Sequence, residues 1–353
     1  MDRLVHPLYQ EDLEIAMLSG VDWKVLDGAR VGISGATGMV GTFLVDLLMR
    51  VVHESISNLS VVALGRNESR AMKRLPYFED DHFSFQECDI AVPGMKLSSS
   101  VDIVIHLAST THPLAYSTQP ISTITSNVIG LQNLFEWQIA SNANGRFCFA
   151  SSVEIYGENR GDVDRFDEEY CGYLNCNTLR AGYPESKRLG EAMCQAYGEE
   201  RRANVYIPRL PRIFGPTLLP SDTKALSQFL SKAVAKQSVV LKSEGLQEYS
   251  YLYLVDAVTG LLWVLTRGEA GEAYNVSDPS GDICLRDLAQ KIAHEGESDV
   301  VFELPTEIER RGYSTATKAL LDGEKLRSIG WRAHFGMDES ISRVVRMLRE
   351  IDR

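Results

Sequence analysis

The 353-residue chain has no CxxC pair, no cluster of histidines and no surplus of positive charge. Its six cysteines are scattered at 88, 148, 171, 176, 194 and 284. That pattern excludes a disulfide framework, and with seven dispersed histidines it offers no metal-ligand spacing, so no metal is expected. Asp and Glu outnumber Lys and Arg 48 to 36, for a net charge of -12. An acidic balance argues against nucleic acid and anionic membrane surfaces as partners, because both require basic patches. A locally basic pocket for a phosphorylated small molecule stays compatible with it. Long apolar runs are missing too: "GLLWVL", residues 260–265, is among the longest, far short of the roughly 20 residues a bilayer demands. The opening "MDRLVHPLYQEDLEIAM" is polar and acidic, unlike a signal peptide. Together these lacks predict a cytoplasmic protein with reduced thiols.

What is present is ordinary for a soluble enzyme, with 44% hydrophobic and 24% charged residues. The length suffices for one large α/β unit or two domains. Residues 1–28 read as an amphipathic helical arm ending near Asp27-Gly28. "ARVGIS", "LSVVALG", "FSFQECDI", "VDIVIHLAS" and "RFCFASS" read as strands. Between them "MVGTFLVDLLMRVV", "RNESRAMKRL" and "PISTITSNVIGLQNLFEWQIA" read as helices. Strands alternating with helices imply a parallel sheet covered on both faces. After Arg212 the rhythm changes to helices separated by short strands. The expected division is a dinucleotide-binding unit over 29–215, with a contribution from 248–275, and a smaller α/β substrate unit over 216–247 and 276–353.

"VGISGATGMVG" sets Gly35, Gly38 and Gly41 between the first strand and its helix. One glycine permits the tight turn, one lets the backbone approach a pyrophosphate, and one lets helix and strand pack. Amides at the helix start, at Met39, Val40 and Gly41, face the phosphates, and Thr37 adds a hydroxyl. The second strand ends Leu64-Gly65-Arg66, where an unphosphorylated ribose calls for an acid. Arg66 suits a 2′-phosphate, which places NADP slightly ahead of NAD. Asp89 and Ile90, after the third strand, are placed to flank the adenine, although Asp89 also suits a plain turn.

"AGYPESKRLGE" begins a helix with Pro184 in its first turn. Tyr183 and Lys187, at i and i+4, share a face. An ammonium beside a phenol favours the phenolate, so Tyr183 can accept and return a proton near neutral pH. Lys187 can also hold the nicotinamide ribose, and Ser152 can hydrogen-bond the same substrate hydroxyl.

These motifs, with "SGATGMVG", "HLASTTHPLAYSTQPISTITSNVIGLQNL", "SSVEIYG", "RAGYPESKRLGE", "RIFGPTLLPSD" and "SEGLQEYSYLYLVDAV", make the chain from residue 30 onward resemble the extended short-chain dehydrogenases/reductases acting on nucleotide sugars. Within them it is most similar to the UDP-glucuronate decarboxylase (UDP-xylose synthase) group. The resemblance implies a Rossmann-type, doubly wound parallel sheet with a smaller C-terminal α/β substrate-binding domain. It implies that Asn127 supports the catalytic tyrosine and that Leu107, Ala108 and Ser109 lie along the cofactor. It implies a UDP-sugar substrate and a homodimer built on the helices around Leu131, Leu134, Phe135 and Lys187. His112, in the same long motif, joins the substrate-binding candidates.

The departures bear on chemistry. Val153 stands where decarboxylases have Ser and 4,6-dehydratases an acidic Asp, which disfavours dehydration. Tyr249 replaces a diphosphate-binding Arg, and Arg212 replaces a substrate-binding Asn. The decarboxylase's C-terminal arginine has no clear counterpart; Lys318 lies near. Arg180 and Arg212 become candidates for a substrate carboxylate or diphosphate. By strand alternation Glu154 should share a side with Ser152 and face the substrate, with Val153 packed inward. The reading is C4 oxidation of a nucleotide sugar followed by decarboxylation, with 4-epimerisation or 4-ketoreduction as alternatives. A non-catalytic dinucleotide sensor is disfavoured because Tyr183 and Lys187 are both kept.

Overall fold

The computed structural model describes residues 1–95, 97–111, 116, 118–307 and 316–351. His112 lies outside them. Strands β1 (Arg30–Ser34), β2 (Ser60–Gly65), β3 (Phe83–Glu87), β4 (Ile103–His106), β5 (Arg146–Phe149), β6 (Ser151–Ser152), β7 (Asn204–Leu210) and β11 (Ala273–Asn275) form one eight-stranded sheet. Its order is β11-β7-β5-β4-β1-β2-β3, with β6 on β7, and every pairing is parallel. The order runs outward from β1 in both directions, so the C-terminal ends of β1 and β4 flank the topological switch point where such sheets bind ligands. Helices α2 (Met39–His53), α3 (Glu68–Arg74), α4 (Pro120–Ser141) and α5 (Gly182–Arg201) make the connections. Both faces are covered, and the strand interiors read as continuous apolar runs for that reason. At α3 the side chain of Asn67 caps the helix by accepting from the Arg70 amide at 2.7 Å.

A second sheet sits beyond β7. Strand β10 (Glu248–Tyr253) lies at its centre, antiparallel to β12 (Asp282–Cys284) and parallel to β14 (Lys318–Ala319) and β8 (Arg212–Phe214). Strands β9 (Val239–Leu241) and β13 (Val300–Phe302) form a separate parallel pair. The stretch 248–275, read as an addition to the large unit, is therefore split. Residues 248–253 belong to the small sheet, while 273–275 extend the large one. Helix α7 (Leu254–Arg267) joins them, and its residues 254–266 are all buried. The run "GLLWVL" is apolar because this helix is enclosed on every side.

Residues 1–28, expected as a helical arm, contain a helix that packs into the core. Helix α1 (Pro7–Leu18) buries Tyr9, Leu13 and Ala16 in the main core, packed on α2 and α7. Asp12, fully buried, accepts from Arg343 Nη2 at 2.7 Å and from the Tyr253 hydroxyl. Arg343 belongs to α10 (Met337–Glu350), so one carboxylate ties three distant segments together. The remaining helices are α6 (Ala225–Val234), α8 (Leu285–Glu295) and α9 (Glu324–Ser328). Among the described residues no helix is long and apolar enough to cross a membrane.

Leu131, Leu134 and Phe135 do not face outward. All three are fully buried against β4, β5 and α5, with Phe135 stacked between Phe147 and Tyr197. The large apolar side chains that α4 and α5 leave exposed are Ile121, Ile124 and Leu189.

Candidate active site

The glycine loop and the end of β4 are built against each other. Gly35 has φ +76°, and a Cβ there would lie 2.7 Å from the Ala108 amide nitrogen; one at Gly41 would lie 2.2 Å from the Gly35 oxygen. Only glycine allows the strand, the loop and the first turn of α2 to approach so closely. Gly38 caps α2 without any side-chain hydrogen bond. The first-turn amides at Met39, Val40 and Gly41 therefore keep their donors and the positive end of the dipole for an anion. Leu107 and Ala108 are held alongside by Ser34, whose oxygen accepts from Leu107 N at 3.1 Å and whose hydroxyl accepts from Ala108 N at 3.3 Å. A cradle that a Cβ would fill, next to free helix-start amides, fits a dinucleotide diphosphate. Thr37 is half-buried on its rim.

The outer part of that cleft is more mixed. Arg66 is exposed at the end of β2. On the neighbouring strand Glu87 pairs in register with Gly65, and its carboxylate accepts from the Glu68 amide at 2.8 Å. Asp89 closes a turn on the Ala91 amide at 2.9 Å, while the Ile90 side chain is buried against Gly130 of α4. Asp89 thus has the turn role and Ile90 a packing role.

Tyr183, Lys187 and Ser152 come together at the ends of β5 and β6, each less than a tenth exposed. Lys187 Nζ donates to the Ala150 carbonyl at 2.7 Å and lies 4.5 Å from the centroid of Phe149. Burial lowers its pKa to about 8. The phenol of Tyr183 is not depressed: burial pushes it up to about 12, the hydrogen bond with Ser152 pulls it down, and Glu154 and Arg180 act in opposite senses. The ammonium is turned to the backbone, and the larger local effect on the phenol is dehydration. Asn127 supports the pair through a relay. Ser109 Oγ donates to Asn127 Oδ1 at 2.7 Å, Asn127 Nδ2 to Ser186 Oγ at 2.8 Å, and Ser186 Oγ to the Tyr183 carbonyl at 2.8 Å.

Beyond Ser152 the strand does not continue. Val153–Tyr156 is a turn of 3-10 helix capped by Ser152, whose hydroxyl accepts from Glu154 N at 3.2 Å. Alternation therefore does not aim Glu154; the cap does. Val153 is buried, and Glu154 meets two arginines: Arg180 Nη2 lies 2.8 Å from Oε2, and Arg212 Nη2 lies 3.9 Å from Oε1. Each guanidinium is stacked on a tyrosine ring, Arg180 on Tyr116 at 4.6 Å and Arg212 on Tyr249 at 3.5 Å from the centroids. Tyr116 in turn stacks on Tyr183, centroids 4.9 Å apart. Tyr249 is fixed by its hydroxyl donating to the Ala316 carbonyl at 2.8 Å. Lys318 stands apart, paired with the exposed Asp164 at 3.2 Å.

Several contributors carry no signal in their spacing. Tyr116 reaches Tyr183 only through the fold. Ser186, one residue before Lys187, is the hidden middle of the Asn127 relay. Beneath the site Glu191 takes Ser151 Oγ at 2.5 Å and Arg209 Nη2 at 2.7 Å. Its position one turn after Lys187 was legible, but its buried partners were not. Among the described residues no group of His, Cys, Asp and Glu is placed to hold a metal ion.

Comparison with known proteins gives the same picture. The model of the NAD dependent epimerase/dehydratase family matches residues 31–277. UDP-glucuronic acid decarboxylase 1 of Xenopus tropicalis is 28% identical over 327 residues, covering 92% of this chain and 73% of that protein. UDP-glucuronic acid decarboxylase 2 of Arabidopsis thaliana is 26% identical over 328 residues, covering 92% and 69%. Among solved structures, the dTDP-glucose 4,6-dehydratase DesIV of Streptomyces venezuelae, with NAD bound, has TM-score 0.75 at 22% identity over 91% of this chain and 97% of that one. The UDP-glucuronic acid 4-epimerase of Bacillus cereus, in complex with UDP-glucuronic acid and NAD, has TM-score 0.75 at 16% identity over 91% and 99%. At these identities the two solved structures speak for the fold.

Proposed function

Since the chain belongs to the NAD dependent epimerase/dehydratase family, we propose that it oxidises the C4 hydroxyl of a nucleotide-linked hexuronate, UDP-glucuronate first, and releases its carboxylate as CO2. The observation that carries this reading is the joining of a buried Tyr183–Ser152–Lys187 group to an arginine pair through Glu154. When bound, a nicotinamide dinucleotide supplies the acceptor for the C4 hydride and later returns it. Tyr183, as the phenolate formed once its own proton has left to solvent, takes the C4 hydroxyl proton, and Ser152 holds that oxygen in place. Lys187, fixed on the Ala150 carbonyl, would orient the ribose of the bound dinucleotide. Oxidation at C4 makes the C6 carboxylate β to a ketone. The C5–C6 bond then breaks with its electron pair going to C5 and on to the C4 oxygen as an enolate. Ser152 and protonated Tyr183 stabilise that oxygen. C5 gains a proton drawn from solvent by way of Glu154, C4 is reduced again, and Tyr183 gives its proton back to the C4 oxygen. Glu154 acts after the first oxidation, at C5.

The finer points belong to the same reading. Arg66 supports NADP(H) binding at least as well as NAD(H), and Glu87 opposes it. Ile121, Ile124 and Leu189 support a homodimer through the outer face of α4 and α5; a monomer in sedimentation at micromolar concentration removes that part. The exposed thiols Cys171 and Cys176 support a reducing, cytoplasmic setting. A second reading, 4-epimerisation, is favoured by the 2.8 Å ion pair that holds Glu154 on Arg180, because C4 redox alone asks nothing of Glu154. Mass spectrometry of UDP-glucuronate incubated with the enzyme and NAD decides. A product lighter by CO2 supports decarboxylation, and an unchanged mass at a new retention time establishes the epimerase instead.

A further inference from the structure

Two arginines share one glutamate beside the reacting tyrosine, and three of their donors are left over. Arg180 Nε and Nη1 and Arg212 Nη1 are shielded from solvent with no hydrogen-bond partner among the described residues. Buried donors of a charged group are normally satisfied, and leaving them open is costly. Here the donors are held in place and cannot turn to water. Arg180 lies over Tyr116 and Arg212 over Tyr249, so ring stacking fixes both guanidinium planes. The cluster carries two positive charges against the one of Glu154. Arg180 remains firmly charged: burial opposes its charge, but Glu154, Tyr116 and Tyr183 raise its pKa above the ordinary value. An over-supplied, pre-oriented pair of forks is built for a planar oxyanion.

We propose that Arg180 and Arg212 together form the subsite for the sugar carboxylate, with Glu154 as its place-holder. This rests on the C4-oxidation reading above. The diphosphate is the other anion in such a substrate, but the position of the pair favours the carboxylate. Arg180 stands one turn before Tyr183 on the chain, and Tyr116 stacks between their groups. An anion held there lies next to the carbon whose hydroxyl Tyr183 deprotonates, and in a hexuronate that neighbour carries the carboxylate. The incoming carboxylate takes the open donors and loosens Glu154 from Arg212, whose contact is the longer one at 3.9 Å. The subsite is thus assembled from two 3-10 turns that follow β6 and precede α5, carrying Glu154 and Arg180, and from the small sheet, carrying Arg212 and Tyr249.

The test is calorimetric binding to the enzyme saturated with reduced cofactor, so that no turnover intervenes, using UDP-glucuronate and UDP-glucose as probes. Wild type should bind UDP-glucuronate more tightly. Arg212→Asn and Arg180→Met should each weaken UDP-glucuronate about 10–100-fold and leave UDP-glucose within about twofold, as for lost hydrogen bonds to a charged group. Arg212→Lys should recover part of the loss, which separates charge from misfolding. Glu154→Gln, by removing the competing anion, should tighten UDP-glucuronate. Equal weakening of both ligands would place the pair on the diphosphate and overturn the proposal, as would unchanged affinity in both arginine variants. Wild type that shows no preference for UDP-glucuronate overturns the hexuronate reading itself, and the subsite with it. A preference that survives both substitutions overturns the subsite alone.

Discussion

Replacing Glu154 by Gln separates a working carboxylate from a merely tethering one, because the two roles differ in size. Glu154 accepts from Arg180 at 2.8 Å and stands 3.9 Å from Arg212. Glutamine keeps the shape and one acceptor oxygen. If the carboxylate only anchors Arg180, Gln keeps a neutral acceptor and the loss is the difference between a charged and a neutral hydrogen bond, about 1–1.5 kcal/mol, and the rate falls by about tenfold or less. If Glu154 moves a proton at C5, overall turnover falls about 10²–10⁴-fold, equivalent to about 2.7–5.5 kcal/mol. The first oxidation should be spared. Tyr183, Lys187 and Ser152 are unchanged, and Glu154 is one of the groups that raise the Tyr183 pKa, so its neutralisation eases phenolate formation. In stopped flow with UDP-glucuronate and enzyme in excess, the variant should form reduced nicotinamide at least as fast as wild type. The signal should then persist where wild type shows it decay. Steady-state turnover at the wild-type rate would refute a catalytic Glu154. A variant that never forms reduced nicotinamide would refute the assignment of C4 oxidation to the other three residues.

Cofactor choice is tested by a pair of changes of opposite sign: Arg66→Ala should weaken NADPH by about 1–3 kcal/mol with NADH nearly unchanged, whereas Glu87→Gln should favour NADPH. Fluorescence titration reads both, and parallel losses would remove the 2′-phosphate role. Because burial lowers Lys187 to about 8, its ammonium is lost as pH rises through that value, so kcat/KM should decline on the alkaline side near pH 8. Lys187→Arg, whose charge does not titrate there, should lower the rate but carry that decline to higher pH. Arg343→Met leaves the buried carboxylate of Asp12 without its cation, and urea unfolding should show a loss of about 3–5 kcal/mol.

The parallel order, the glycine loop and the Tyr183/Lys187 pair were legible because local patterns encode them: period, spacing and cap. Glu154 was found in the sequence by the wrong geometry. Ser152 accepts from the backbone two residues on and starts a 3-10 turn, a choice that hydroxyl-ended strands do not announce. Leu131, Leu134 and Phe135 lie on a helix that the resemblance assigns to a dimer interface, but a helix between a sheet and another helix buries more than one face, and period alone does not say which face is spare. The helix of the N-terminal arm was legible, but its packing was not. Its burial depends on Arg343 and Tyr253, which lie hundreds of residues away in the chain and within hydrogen-bond reach in space.

The stack of Arg212 on Tyr249 also bears on descent. The two positions are opposite partners, one supplying charge and the other the surface on which it rests, 3.5 Å apart. A lineage passing between this arrangement and one with asparagine at 212 and arginine at 249 has no neutral single step. Changing 212 first leaves the pocket short of a cation, and changing 249 first crowds two guanidinium groups together. The two sites must therefore be inherited as a unit. Among related sequences they should vary in concert, although they sit on different strands and outside the redox centre.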